Sequence, residues 1–167
     1  YLKKFLNDNL DLVQDEKRLR SWIVFRLAEI YLNYAEAMNE AYGPDANNGY
    51  ALTAKEAINL VRGRTGVEMP AITTASKEEF REKVKHERRI ELAFEEHRYW
   101  DLRRWKDATT VLNEPLRGVQ ATKNGNNFSY QVKEVEKRTF TEKMYFYPIP
   151  HSEINKSNGI VKQNPGW

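Results

Sequence analysis

Between residues 27 and 41 the apolar side chains Leu27, Ile30, Tyr31, Tyr34, Ala35, Met38 and Ala41 recur at steps of three and four. That spacing draws one continuous face and predicts an α-helix over 22–41. Small Ala alternating with bulky Tyr on that face suits close packing against a second helix, as in helical-hairpin repeats. Gly43-Pro44 stops the helix, because Gly accepts left-handed geometry and Pro cannot continue the ladder. Thr53, with Glu56 three residues on, has the pattern of a capping box. The helix it opens runs to about Arg64, with Ala54, Ala57, Ile58 and Val61 inward. The two helices and their loop have about the length of a tetratricopeptide repeat.

Ser76 and Glu79 repeat the capping pattern ahead of a long helix to about Glu95, whose apolar stripe reads as Phe80, Val84, Ile90 and Phe94. A turn and a short helix over 99–107 follow. Beyond Asp107 the helical period fades. Leu112 to Asn127 holds Pro115, Gly118 and Gly125 and reads as irregular, with Asn124-Gly125 as a turn or hairpin signal. Phe128–Val132 and Met144–Tyr147 have strand character. The final 20 residues read as loop with one short turn. Residues 1–20 carry a weak, charge-rich pattern, a helix or an arm. The fold class is therefore mainly α: helical hairpins with a small irregular or β-hairpin element near 108–147, in a single domain over 1–167.

Composition removes several function classes. No apolar run approaches the ~18–20 residues that cross a bilayer. Net charge is +3, and basic and acidic residues interleave, as in Lys77-Glu-Glu-Phe-Arg-Glu-Lys83. A nucleic-acid partner would need basic residues clustered on one face, so none is expected. With no cysteine there is no disulfide or thiolate chemistry. His86, His97 and His151 lack metal-ligand spacing. Asp45-Ala-Asn-Asn-Gly49 lacks the alternating ligands and terminal Glu of a calcium loop. No Gly-rich phosphate loop or G-x-S-x-G elbow is present. No metal and no cofactor is expected.

Two clusters remain chemically suggestive. Glu87 and Glu91 fall four apart inside the apolar stripe of the long helix, where an isolated charge costs too much. They could be a glycosidase acid/base pair or half of a di-metal site. The favoured reading is a structural charge network with Arg88, Arg98, Arg103 or Arg104, together with Asp101. Arg98-Tyr-Trp-Asp-Leu-Arg-Arg-Trp105 could stack on bases or sugars, but Trp100 and Trp105 read better as core anchors. For sugars, two loops offer exposed rings beside amides: Tyr42 and Tyr50 around Asp45, Asn47 and Asn48, and Phe128 and Tyr130 beside Asn124, Asn126 and Asn127. Tyr42, Tyr50, Asn124 and Tyr130 are the ligand candidates.

Four ordered blocks resemble the C-terminal region of the SusD/RagB family of surface glycan-binding lipoproteins of Bacteroidota. They are Arg26-Leu-Ala-Glu-Ile-Tyr-Leu-Asn-Tyr-Ala-Glu-Ala37, Glu87-Arg-Arg-Ile-Glu-Leu-Ala-Phe-Glu95, His97-Arg-Tyr-Trp-Asp-Leu-Arg-Arg-Trp105, and Tyr147-Pro-Ile-Pro150 through Gln163-Asn-Pro-Gly-Trp167. The family pattern has Gly where this chain carries Glu96, which counts against a glycine-type turn there. The resemblance implies a tetratricopeptide-like fold and the C-terminal region of a longer protein. It implies a non-enzymatic role: catching oligosaccharides, or other nutrients, for a SusC-like TonB-dependent transporter in the outer membrane. It implies a surface-exposed position, held by a lipid anchor in a preceding N-terminal part, and a ligand site built largely by segments outside these helices. A helical-repeat adaptor for a protein partner is the alternative, and a glycoside hydrolase using Glu87 and Glu91 a further one.

Overall fold

The computed structural model describes residues 4, 5, 10, 11, 13–15, 17, 19 and 23–167. The arm or helix expected over 1–20 lies largely outside the described residues. The chain forms two compact units, Tyr1–Arg98 and Tyr99–Trp167.

The first unit holds α1 (Leu27–Tyr42), α2 (Ala54–Arg62) and α3 (Lys77–Glu91), with α1 packed on both others. Leu32, Ala35 and Met38 of α1, Ala54, Ala57, Ile58 and Val61 of α2, and Phe80 and Val84 of α3 make its core, with Leu92. The inward face of α2 is the one its spacing predicts. The face of α1 is rotated from the expected one. Leu27 and Ile30 are exposed, Ala41 too, and Glu29, Leu32 and Asn39 take their place. A helix packed on two neighbours buries the stripe they select, and polar residues enter it if they are paired. Asn39 meets that condition by half: its amide nitrogen donates to the Lys77 carbonyl at 3.1 Å, and its side-chain oxygen is buried without a hydrogen-bond partner.

Thr53 and Glu56 form the full capping box. Ser76 accepts from the Glu79 N–H at 3.3 Å, but the Glu79 carboxylate turns to the Thr74 hydroxyl at 2.8 Å, so only half of the second box forms. The stripe of α3 also departs from expectation. Phe80 and Val84 are buried, but the face continues onto Glu87 and Arg88, and Ile90 and Phe94 are exposed. The helix stops at Glu91, and Phe94 and Glu96 then take φ of 62° and 65°. The left-handed turn is thus kept without glycine, which corrects the expectation at Glu96. Non-glycine residues hold that conformation at a cost of roughly 1–2 kcal/mol each.

The division between units falls inside α4 (His97–Arg104). The second unit continues with α5 (Ala108–Val111), β1 (Leu116–Asn124), β2 (Asn127–Glu136), a 3₁₀ turn (Glu142–Tyr145) and α6 (His151–Lys156). Its core is Leu102, Ala108, Phe140 and Tyr145, the last two rings meeting edge-on at 5.0 Å. The Tyr145 hydroxyl accepts from the Thr109 N–H at 3.1 Å and donates to the Lys106 carbonyl at 2.9 Å.

β1 and β2 form an antiparallel hairpin across Gly125–Asn126. Gly125 alone of that pair has positive φ, 61°, as a II′ turn requires at its first central residue. Two expectations need correction here. Leu116–Asn124 is a strand and not irregular, because it lies directly opposite Phe128–Val132 across the turn. Gly118, which looked like a breaker, leaves room for Val135, whose Cγ2 would sit 2.8 Å from an added Cβ. Met144–Tyr147 is not a strand; Met144 and Tyr145 lie in the 3₁₀ turn, and the Tyr145 carbonyl is taken by Arg103.

Three irregular segments are pinned in one way: a side-chain amide exchanges two hydrogen bonds with one backbone residue. Asn59 does so with Ile72 (2.8 and 3.1 Å), Asn113 with Phe140 (2.7 and 2.9 Å) and Gln163 with Ile149 (2.8 and 2.9 Å). Asn164 adds a bond to the Tyr147 carbonyl at 2.6 Å, and the Trp167 indole N–H points at the carbonyls of Lys143 and Phe146, 3.0 Å from each.

Candidate functional site

The acidic side of α3 gathers a charge network that reaches both other helices of the first unit. Glu91 receives Arg26 Nη1 at 2.6 Å on one oxygen and Arg64 Nη2 at 2.8 Å on the other. Arg26 also donates Nε to Glu95 at 2.6 Å and Nη2 to the Glu91 carbonyl at 2.5 Å. Lys4 donates to the carbonyls of Glu91 and Ala93 at 2.7 and 2.9 Å and pairs with Glu95. Glu87 pairs with Arg62, whose Nε holds the Pro70 carbonyl at 2.9 Å. Arg26 stands at the N-cap of α1, and Arg62 and Arg64 at and beyond the end of α2, so the α3 carboxylates tie three helices together.

Electrostatics follow from these contacts. Burial alone would raise the Glu95 pKa, but hydrogen bonds from Arg26 and Lys4 outweigh it and hold the carboxyl below its ordinary range. Burial likewise works to lower the Arg26 pKa, and Glu95 and Glu91 overcome it and raise it. Glu40 is lowered chiefly by the bidentate hydrogen bonds of Arg81, at 2.6 and 2.7 Å.

Arg26, Arg62 and Arg64 hold Glu87 and Glu91, and sequence spacing singles out none of these three. Arg88 donates to Asn33 at 2.5 Å and stands 4.0 Å from Glu36. Arg98 is half-buried. In the second unit Arg104 donates to Asp101 at 2.9 Å. Arg103 is buried, donates to the Tyr145 carbonyl, and lies over the rings of Tyr147, Trp100 and Tyr99 at 4.4, 5.1 and 5.3 Å. A hydrogen bond with the Tyr147 hydroxyl, then burial, raises the Tyr99 pKa. Trp100 and Tyr147 remain half exposed above this caged cation.

Glu87 and Glu91 do border a groove of about 770 Å³ between the connection Val67–Thr74 and α3, but both side chains are only 10% exposed. Carboxylates locked by guanidinium partners suit a structural tie better than proton transfer, which needs a group free to exchange its proton.

Of the sugar candidates, Tyr42 and Tyr50 are brought together, with ring centroids 6.2 Å apart and both faces partly open. Asp45 between them is paired with Lys55 at 2.5 Å. Tyr130 and Asn124 lie on opposite faces of the hairpin, since Tyr130 pairs with Ala121 and Asn124 with Asn127. Among the described residues no group of three His, Asp or Glu could hold a metal ion, and no helix is long and apolar enough to cross a membrane.

A sequence model of the SusD family matches residues 1–167. A SusD-like protein of Formosa agariphila is 36% identical over 80% of this chain and 24% of its own length. The crystal structure of a SusD-like protein of Bacteroides fragilis aligns with TM-score 0.73 and 39% identity, over 87% of this chain and 26% of that one. A SusD-like carbohydrate-binding protein of the same species aligns with TM-score 0.59 and 37% identity, over 77% of this chain and 26% of that one. The chain thus spans about a quarter of the length of these relatives.

Proposed function

Because this chain belongs to the SusD family, we propose that it is the C-terminal region of a surface protein that binds glycans and hands them to a TonB-dependent transporter of the SusC type. The single observation that carries the reading is the family match along residues 1–167. Likeness to a solved carbohydrate-binding relative supports it. In this role the protein sits on the outer membrane through a lipid anchor in a preceding segment, and it performs no chemistry on its ligand. Affinity and release are sufficient, and the arginine-held Glu87 and Glu91 serve the helix packing. The open ring pair of Tyr42 and Tyr50 is a position here at which a sugar face could stack.

Calorimetric titration tests this directly. A panel of plant, fungal and host oligosaccharides is titrated against a family-length protein carrying these residues and against residues 1–167. Binding by the longer protein alone supports the role and places the sugar contacts outside this region. Binding by both, weakened by Tyr42→Ala or Tyr50→Ala, supports the role and assigns contacts here. Silence from both across the panel overturns the glycan reading.

A further inference from the structure

We propose that one face of the β1–β2 hairpin is an internal docking surface, covered in a family-length protein by apolar residues from outside these 167. The register decides the faces, since paired residues of an antiparallel ladder share a side. One side carries the pairs Val119/Val132, Ala121/Tyr130 and Lys123/Phe128; the other carries Gln120/Gln131, Thr122/Ser129 and Asn124/Asn127. The hairpin is therefore amphipathic, with one apolar face and one polar face.

Yet the apolar side is bare: every residue of both strands except Gly118 is exposed, and Val119, Val132 and Tyr130 are 65%, 65% and 71% accessible. A lone two-stranded hairpin is marginal in water and gains stability from a layer on its apolar face. Alternation of polar and apolar residues over 127–132, answered across the ladder by Val119 and Ala121, specifies such a layer.

The length of the relatives supplies the occupant, because about three quarters of a family-length chain lies outside the span matched here. At the root of the face Arg117 stands opposite Glu134, so charge there is self-compensated. The complement is an apolar strip roughly 13 Å long, four strand steps at about 3.3 Å each, ending at the charged Lys123. The inference rests on the reading that these residues belong to a longer protein, which the upstream coding sequence decides independently.

The test is hydrogen exchange on the family-length protein, comparing wild type with Val132→Lys on the apolar face and Gln131→Lys on the polar one. Wild-type hairpin amides should be protected, Val132→Lys should speed their exchange at least tenfold, and Gln131→Lys should leave it unchanged. Unprotected wild-type strands, or equal behaviour of the two variants, overturns the proposal. So does Val132→Lys abolishing a concentration-dependent dimer, which would make a second copy the occupant. Loss of oligosaccharide affinity in Val132→Lys with hairpin protection intact would make it a glycan. Glycan binding by wild type is read separately, so failure of that role and failure of this surface are distinguishable.

Discussion

Gln163 and Ile149 pair as two strand residues would, the side-chain amide of one exchanging hydrogen bonds of 2.8 and 2.9 Å with the backbone N–H and C=O of the other. Tyr147-Pro-Ile-Pro150 and Gln163-Asn-Pro-Gly-Trp167 are therefore two halves of one latch. Pro148 and Pro150 bring no N–H to a ladder, so a single amide supplies the pairing that a strand cannot. Gln163→Ala should cost about 1–2 kcal/mol, two partly exposed hydrogen bonds. Hydrogen exchange at the Ile149 N–H reads this locally, and unchanged protection would refute the latch.

Glu96 gives a prediction of opposite sign. Its φ of 65° is left-handed and carries strain that glycine would not. Part of the gain on substitution is lost to the freer unfolded chain. Glu96→Gly should stabilise the protein by about 0.5–1 kcal/mol, a rise of roughly 1–4 °C in Tm. A fall in Tm would show that the Glu96 side chain makes a contact worth more than the strain.

Glu91 holds two guanidinium groups from two other segments of the first unit. Glu91→Gln keeps the shape and removes the charge, leaving Arg26 and Arg64 undercompensated. With Arg64 nearly half exposed, the loss should be about 2 kcal/mol, below the 3–5 of a fully buried pair. Urea denaturation measures it, and an unchanged midpoint would rule out the structural role of the network.

Acid should weaken the first unit. The Glu95 and Glu40 carboxyls lie below their ordinary pKa in the folded state. Each therefore contributes stability that is fully present above the unfolded-state value, near 4.3, and lost as pH falls through the folded value. The urea midpoint should hold from pH 7 to about 5 and fall below that. Glu95→Gln should flatten the fall; an identical slope would exclude Glu95 as a contributor.

Some local signals in the sequence were translated faithfully, whereas long-range partners were not legible. The Thr53 cap and the inward face of α2 depend on residues within one or two turns, and both formed as spaced. The Asn124-Gly125 signal marked the hairpin, but β1 was hidden by Gly118, whose value lies in the room it leaves for Val135 across the ladder. The α3 carboxylates were visible as a pair needing partners. Those partners lie 65, 25 and 27 residues away at Arg26, Arg62 and Arg64, and no spacing rule reaches that far. At the sugar candidates, strand parity separates Tyr130 from Asn124, which proximity in sequence had placed together.

The amides of Asn59, Asn113 and Gln163 each button a strap to the body, with Arg62 at Pro70 and Asn164 and Trp167 at the tail as further fastenings close by. A strap fastened over so short a stretch can be let out, shortened or rerouted beyond it while the core helices stay as they are. Residues 63–68 and 157–162 are thus stretches where a relative can change length and surface without retailoring the core, provided the buttoning amide and its backbone partner remain.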